Sequence, residues 1–229
     1  MKKICFLLLI SVVVMTASSP GHPVQADEFS LPQPSYKGSL SVEQALKARR
    51  TQRSFQSRPL ALEQLSQILW AAYGVTKKIA GHYLKTAPSA GALYPLDIYA
   101  VIGKKGVREL IAGVYHFLPR DHRVEMVKQG DYRSEVGRLS AQQMWIAEAP
   151  LILVITGEYG RSTVKYGRRG VIYTHIEAGC VGQNIFLQAE ALGLKAGIVG
   201  AFNNEQLSTV LGLPPGHNPL LIMPVGYPR

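Results

Sequence analysis

Apolar positions along this chain recur with two periods, and the alternation divides it into elements. Leu62, Leu65, Ile68, Leu69 and Ala72 fall on one face of a helical spiral, with Gly74 as the stop. Upstream, Ser41-Val42-Glu43-Gln44 has a capping-box pattern and opens a short predicted helix over 41–48. Residues 97–102 read as a strand. Residues 114–118 and 123–127 alternate as the arms of a hairpin around Pro119-Arg120-Asp121-His122. Residues 131–140 read as a helix that 142–148 extends. Leu151-Ile152-Leu153-Val154-Ile155 is a continuous apolar run, the pattern of a central strand buried on both faces. Residues 158–169 are polar and turn-like. A long helix is predicted over 171–192, closed by Gly193 and carrying Ala178, Gly179, Gly182 and Ala189 among larger apolar residues. Glycine inside a helix costs roughly 1 kcal/mol against alanine, so close packing against another helix, within or between subunits, is the expected compensation. A glycine-containing strand over 195–202 follows. Asn203 then caps a helix that ends at Gly212, and 220–225 is the last strand. Helices and strands mix without a regular βαβ series, which predicts an α+β domain.

Length sets the scale of this reading. At 229 residues the chain suffices for one well-buried domain. Its first 26 residues differ from the rest: Lys2 and Lys3 precede an apolar run over 4–15, and small and polar residues lead to Ala26. That is the layout of a secretory signal peptide with cleavage after Ala26, and its apolar core is short for a membrane span. The expected organisation is therefore a signal peptide over 1–26, a Pro-containing lead over 27–40 and one domain over 41–229. The expected location is periplasmic or secreted, with no membrane span in the mature chain. Loss of the leader leaves Cys180 alone, which excludes an intrachain disulfide framework and a cysteine-cluster metal site. The net charge of +10 is scattered rather than interleaved with aromatics, so a nucleic-acid partner is not expected.

Familiar chemistry is missing. Gly193, Gly197 and Gly200 lack dinucleotide-binding spacing, and no Walker sequence occurs. Ser89 lacks the paired flanking glycines of a nucleophile elbow, with Ala87 at the first position. No histidines pair at helical ligand spacing, and a metal is not expected. Two stretches remain. Arg49-Arg50-Thr51-Gln52-Arg53 crowds three guanidiniums, either as a solvated helix end or facing an anion. Pro88-Ser89-Ala90-Gly91-Ala92-Leu93-Tyr94-Pro95 is a rigid turn with small side chains at its middle, either a plain connector or a loop whose backbone approaches a ligand closely.

Taken in order, these stretches resemble the nitroreductase-like, FMN-dependent oxidoreductases. The arginine cluster is similar to their R-R-[ST]-x-R segment and the second stretch to their P-S-A-G loop. The Leu-Tyr-Pro ending, Lys165-Tyr166-Gly167, Ile176-Glu177-Ala178-Gly179, Gln183-Asn184, Val199-Gly200-Ala201-Phe202 and Pro224-Val225-Gly226-Tyr227-Pro228 are similar to the SagB-type dehydrogenase branch. The resemblance covers 41–229. It implies an α+β nitroreductase-like fold, a mixed central sheet flanked by helices, in an intertwined homodimer with FMN at the subunit interface. Arg49, Arg50 and Thr51 would face the FMN phosphate or ribityl chain and Arg53 the pyrimidine edge of the ring. Pro88, Ser89, Ala90, Gly91 and Ala92 would come from the other subunit. Val199, Gly200 and Ala201 would line the ring through backbone contacts, and Lys165 and Tyr166 would be the catalytic pair that removes a proton. Two departures stand out: Cys180 occupies the position that usually holds histidine after Glu-Ala-Gly, and the chain stops at Arg229 where many relatives continue into a basic tail.

The expected activity is hydride transfer through flavin N5 to or from a small organic substrate, either nitro or quinone reduction or substrate dehydrogenation. NAD(P)H is a candidate electron donor, but its scarcity outside the cytoplasm favours dehydrogenation in an exported protein. The alternative is a non-catalytic flavin-binding or flavin-scavenging protein.

Overall fold

The computed structural model describes residues 28–79 and 81–229; the expected signal segment over 1–26 lies outside them. Nine strands and six helices follow in order: β1 (Glu28–Ser30), α1 (Val42–Ala48), α2 (Leu62–Tyr73), β2 (Val75–Ile79), β3 (His82–Lys85), β4 (Leu96–Ile102), β5 (Gly113–Leu118), β6 (Arg123–Gln129), α3 (Arg133–Leu139), β7 (Leu151–Gly157), α4 (Tyr159–Tyr166), α5 (Arg168–Ala191), β8 (Lys195–Ala196), α6 (Asn204–Leu211) and β9 (Asn218–Gly226). Seven strands form one sheet in the order β1-β6-β5-β4-β7-β9-β8, and β2 and β3 form a separate hairpin. Every ladder of the large sheet is antiparallel. Parallel pairing, which the expected mixed sheet would contain, is confined to the isolated bridges Thr51↔Ala196 and Leu60↔Val107.

β7 is central, between β4 and β9, and all seven of its residues are buried. The reason is layering rather than parallel pairing. Leu151, Leu153 and Ile155 pack with α2 and α5 on one face. Ile152 and Val154 join Val136 of α3 and Leu207 and Leu211 of α6 on the other. With helices on both faces, even an antiparallel strand loses the polar alternation that a solvated face would impose. Each such side chain removed from water contributes about 1.5–3 kcal/mol before entropy is counted, which makes this strand the anchor of the fold.

The sheet also takes in the lead. β1 pairs antiparallel with β6, Leu31 is buried, and the Pro32 carbonyl accepts a hydrogen bond from Ser66 Oγ at 2.5 Å. The capping box at Ser41 is present, with Ser41 and Gln44 exchanging side-chain bonds. The hairpin of β5 and β6 forms as its alternation predicts. Asn203 caps α6, and Gly212 ends it in the left-handed region.

Four boundaries differ from expectation. Residues 158–169 are not a turn: α4 occupies most of them, and α5 begins at Arg168, directly after Gly167. This helix escapes a periodicity search because Ser162 is its one buried residue and Val164 is 90% exposed. Residues 142–148 do not extend α3. Ala141 and Gln142 adopt positive φ (53° and 58°), which breaks the helix, and Met144–Glu148 form a separate 3-10 turn. The strand expected over 195–202 shrinks to β8 plus one bridge between Val199 and Ile222. The small residues of α5 also divide differently. A Cβ on Gly170 would lie 2.7 Å from the Ser162 backbone, so the close helix contact is with α4, while Gly182 lies over Leu221 and Met223 of β9 and Gly179 faces open space.

Candidate functional site

The arginine segment leaves α1 in extended form. Arg49 is the C-cap, and its guanidinium lies 5.0 Å from the Phe186 ring centroid on α5. Arg50 Nη1 donates to the carbonyls of Lys47 (3.1 Å) and Arg49 (2.7 Å), so this arginine closes the helix end. Thr51 bridges to Ala196, Gln52 N–H donates to the Ala196 carbonyl at 2.9 Å, and Arg53 lies 5.9 Å from the Trp145 ring. Gly197 is required here, because a Cβ would sit 2.8 Å from the Gln52 carbonyl and 2.9 Å from the Trp145 ring. The structure therefore packs the segment 49–53 against Ala196 and Gly197, two residues before the candidate stretch 199–201. Val199 is buried and held to Ile222, whereas Gly200 and Ala201 are exposed and nothing lies within 4 Å of a Cβ on Gly200. Among the described residues none of Arg49, Arg50 and Arg53 is paired with a carboxylate. The result is a segment carrying positive charge packed against Ala196-Gly197, with open backbone a few residues further on.

The second stretch is a strained loop. Gly91, Ala92 and Tyr94 have φ of 61°, 53° and 49°, and the last two are non-glycine residues in the left-handed region. Several bonds hold this shape. Ser89 Oγ accepts from Tyr94 N–H at 2.9 Å, and the Tyr94 hydroxyl accepts from Lys85 N–H at 3.1 Å. Beneath the loop, Tyr73 Oη donates to Glu177 Oε1 at 2.5 Å and accepts from Leu96 N–H at 3.2 Å. Burial raises the Glu177 carboxyl above its ordinary pKa, and hydrogen bonds from Ser89 and Tyr73 with the nearby Lys85 charge resist that rise. Burial and the adjacent Glu177 push the Tyr73 phenol up as well. The hydroxyl of Ser89 is thus engaged between its own loop and α5. Pro88 and Gly91 are exposed, and Ala90 and Ala92 are partly so.

Lys165 and Tyr166, at the end of α4, meet the same loop. A Cβ on Gly91 would lie 2.6 Å from Tyr166 Oη and 3.0 Å from Lys165 Nζ, so these two groups sit directly over the glycine. The Lys165 ammonium lies 5.4 Å from the Tyr166 ring centroid. The loop and the Lys-Tyr pair form one group, and the segment 49–53 with the 196–201 stretch it packs against at Ala196 and Gly197 forms another, a strip. Their attachments to α5, Glu177 for the loop and Phe186 for the strip, are separated by roughly 13 Å along the helix axis and about half a turn around it. Within one chain the two groups do not share a face of α5.

A polar cluster adjoins the loop. Asp97, Glu158 and His217 bring possible ligand atoms within 4.8 Å of one another, the one such group among the described residues. Arg161 already lies between the carboxylates, 2.9 Å from Asp97 Oδ2 and 2.6 Å from Glu158 Oε2, where it supplies the positive charge a metal would bring. Burial alone would raise the Asp97 pKa, but the His116 hydrogen bond and the charges of Arg161, His116 and His217 outweigh it and hold the carboxyl low. Sequence reasoning missed Tyr73, Trp145, Lys85 and the anchoring part played by Glu177. None carries a local signal, since each reaches the site from a distant element.

Comparison with known proteins gives this arrangement a family. The description "Nitroreductase family" matches residues 46–227. The chain is 43% identical over 188 residues to the nitroreductase-like protein MJ1384 of Methanocaldococcus jannaschii, covering 82% of this chain and 91% of that one. It is 28% identical over 139 residues to the microcin B17-processing protein McbC of Escherichia coli, of which it spans 50%. That similarity agrees with the SagB-type branch. Among solved structures, a nitroreductase-like protein of Ralstonia eutropha JMP134 superposes with a TM-score of 0.77 at 28% identity, covering 92% of this chain and 93% of that one. The fold, the ordered motifs and a match over most of its length agree: the chain belongs to the Nitroreductase family.

Proposed function

We propose that this protein is an FMN-dependent oxidoreductase, exported by its leader, that works as a homodimer on a small organic substrate. One observation carries the reading: three arginines with no carboxylate partner among the described residues lie on the segment that packs against Ala196 and Gly197, and the chain leads from there into exposed backbone at Gly200 and Ala201. A phosphate-bearing planar ligand needs both features, charge for its tail and an unobstructed surface for its ring. A flavin bound there supplies hydride transfer, with NAD(P)H as a candidate donor. Arg49 and Thr51 hold its phosphate end, and Arg50 reinforces that charge while closing α1. Arg53, steadied by Trp145, places a cation where a reduced ring gathers negative charge. Val199, Gly200 and Ala201 provide the surface, which only small side chains leave open.

Because the loop and the strip face different sides of α5, the reading requires a second copy to bring its Pro88, Ala90, Gly91 and Ala92 against the first copy's strip. Lys165 and Tyr166 arrive with that loop and hold a proton at Nζ or Oη beside the substrate. The exposed apolar side chains of α5, Ile172 (47%) and Ile176 (60%), support such a partner. Ser89 acts from within, tying the loop to Glu177 through hydrogen bonds.

The test is the absorption spectrum of the purified protein with added FMN, followed by NADPH. Stoichiometric flavin binding and bleaching by NADPH are expected. Arg53→Ala should weaken FMN binding by about tenfold, the loss of one charge-assisted contact. Protein that holds flavin without turnover toward nitroaromatic, quinone or dehydrogenation substrates would be a flavin carrier instead. Protein that binds no FMN at all would defeat the proposal.

A further inference from the structure

A separate cavity of about 450 Å³ opens beside the loop, a volume suited to a small organic ligand. Leu93 and Tyr94 form one wall, Tyr83 and Lys85 of β3 a second, and Leu118 at the end of β5 with Arg120 of the following turn a third. No residue of the 49–53 or 199–201 strip lines it.

The charges around this cavity are unevenly matched. Asp97 is answered by His116 at 3.1 Å and Arg161 at 2.9 Å, and Asp121 by Arg123 at 3.6 Å. Lys85 and Arg120 have no carboxylate at ion-pair distance among the described residues. Lys85 Nζ instead lies 3.7 Å from the Tyr73 ring centroid and 5.0 Å from that of Tyr94, and Arg120 lies 5.0 Å from that of Tyr83. Burial lowers the Lys85 pKa to about 8; Asp97 and Glu177 oppose this, while Arg161 and Arg120 add to it. Ring faces compensate a cation only in part, whereas an anion in the cavity would satisfy both charges. The walls that remain are mixed: beside the paired Asp97, His116 and Arg161, the side chains of Tyr83, Leu93, Tyr94 and Leu118 offer apolar surface that a bare inorganic anion would leave uncovered.

We propose that this cavity binds a small aromatic carboxylate, its carboxylate held by Lys85 and Arg120 and its ring packed against Leu93 and Tyr94. The site stands apart from the flavin reading: of the residues assigned to FMN only Ala92 lines the cavity, and neither of the two cations does flavin work.

Phenylacetate is the probe, titrated calorimetrically into the purified protein with and without saturating FMN. Saturable one-to-one binding is expected, unaffected by FMN, with no comparable affinity for neutral phenylacetamide or for inorganic phosphate. Lys85→Met and Arg120→Ala should each weaken phenylacetate by about tenfold, as for a lost charge-assisted hydrogen bond. Near pH 8.5, binding should draw a proton onto Lys85, visible as a heat that changes with buffer ionisation enthalpy and vanishes in Lys85→Met. Absence of saturable binding, or unchanged affinity in Arg120→Ala, would overturn the proposal. That second variant carries the test even if Lys85→Met fails to fold, since Arg120 is exposed. Competition by FMN would move the anion into the flavin site, and equal affinity for phosphate would reduce the cavity to general charge attraction; either result also overturns it.

Discussion

At the scale of single residues, the decisive group is Glu177, a carboxyl buried under a strained loop and bonded from two sides. Its pKa is raised, so the folded state retains its proton to higher pH than the unfolded chain, whose value is near 4.5. The sign follows from linkage: the folded state binds more protons in that window, and stability falls as pH rises from the unfolded value through the folded one. Glu177→Gln keeps an acceptor for Tyr73 Oη and removes the titration. Urea unfolding from pH 4 to pH 8 should show the variant gaining on the wild type as pH rises; a constant difference across the range would mean that folding leaves the Glu177 pKa where it is in the unfolded chain. The Glu-Ala-Gly motif was legible in the sequence, but this function of its glutamate was not. Tyr73 lies 104 positions away, and only folding sets its hydroxyl against the carboxyl.

At the scale of elements, α4 and α5 form a helical hairpin across Gly167, and Gly170 lets their backbones touch. Gly170→Ala would place its Cβ 2.7 Å from main-chain atoms of Ser162 and Thr163, which cannot rotate away. Overpacking of this kind costs about 1–3 kcal/mol. Chemical denaturation should show that loss together with displacement of Lys165 and Tyr166, which α4 carries to the loop. Unchanged stability would mean that the hairpin opens to admit a methyl group. Most of the other elements were readable: α2 from its stripe, β7 from its apolar run, α1 and α6 from their caps. α4 was not, since a helix with one buried residue leaves almost no periodicity to read.

At the scale of the whole molecule, α5 links the two candidate groups, which face different ways, and exposed apolar positions lie along it at Ile172 and Ile176. On α1, Val42 (63%) and Leu46 (50%) add a second exposed apolar pair. The homodimer proposed above would cover the α5 positions and complete each half-site with the other. Ile176→Glu places a charge in that contact, and sedimentation equilibrium should report a shift from dimer to monomer, with loss of FMN binding alongside. A variant that stays dimeric and retains its flavin would place the interface elsewhere.

By itself the sequence determined the α+β class, most element positions and the ordered motifs of the family, because these depend on local periodicity, capping and spacing. Tertiary structure decided what those motifs do together. It put Gly197 against Gln52 and Trp145, and it set Lys165 and Tyr166 over Gly91. It turned the hydroxyl of Ser89 inward to its own loop and left Lys85 and Arg120 beside a cavity without anionic partners among the described residues. These are contacts between elements far apart in the chain. Their energies come from burial and charge pairing that exist only once the layers have packed.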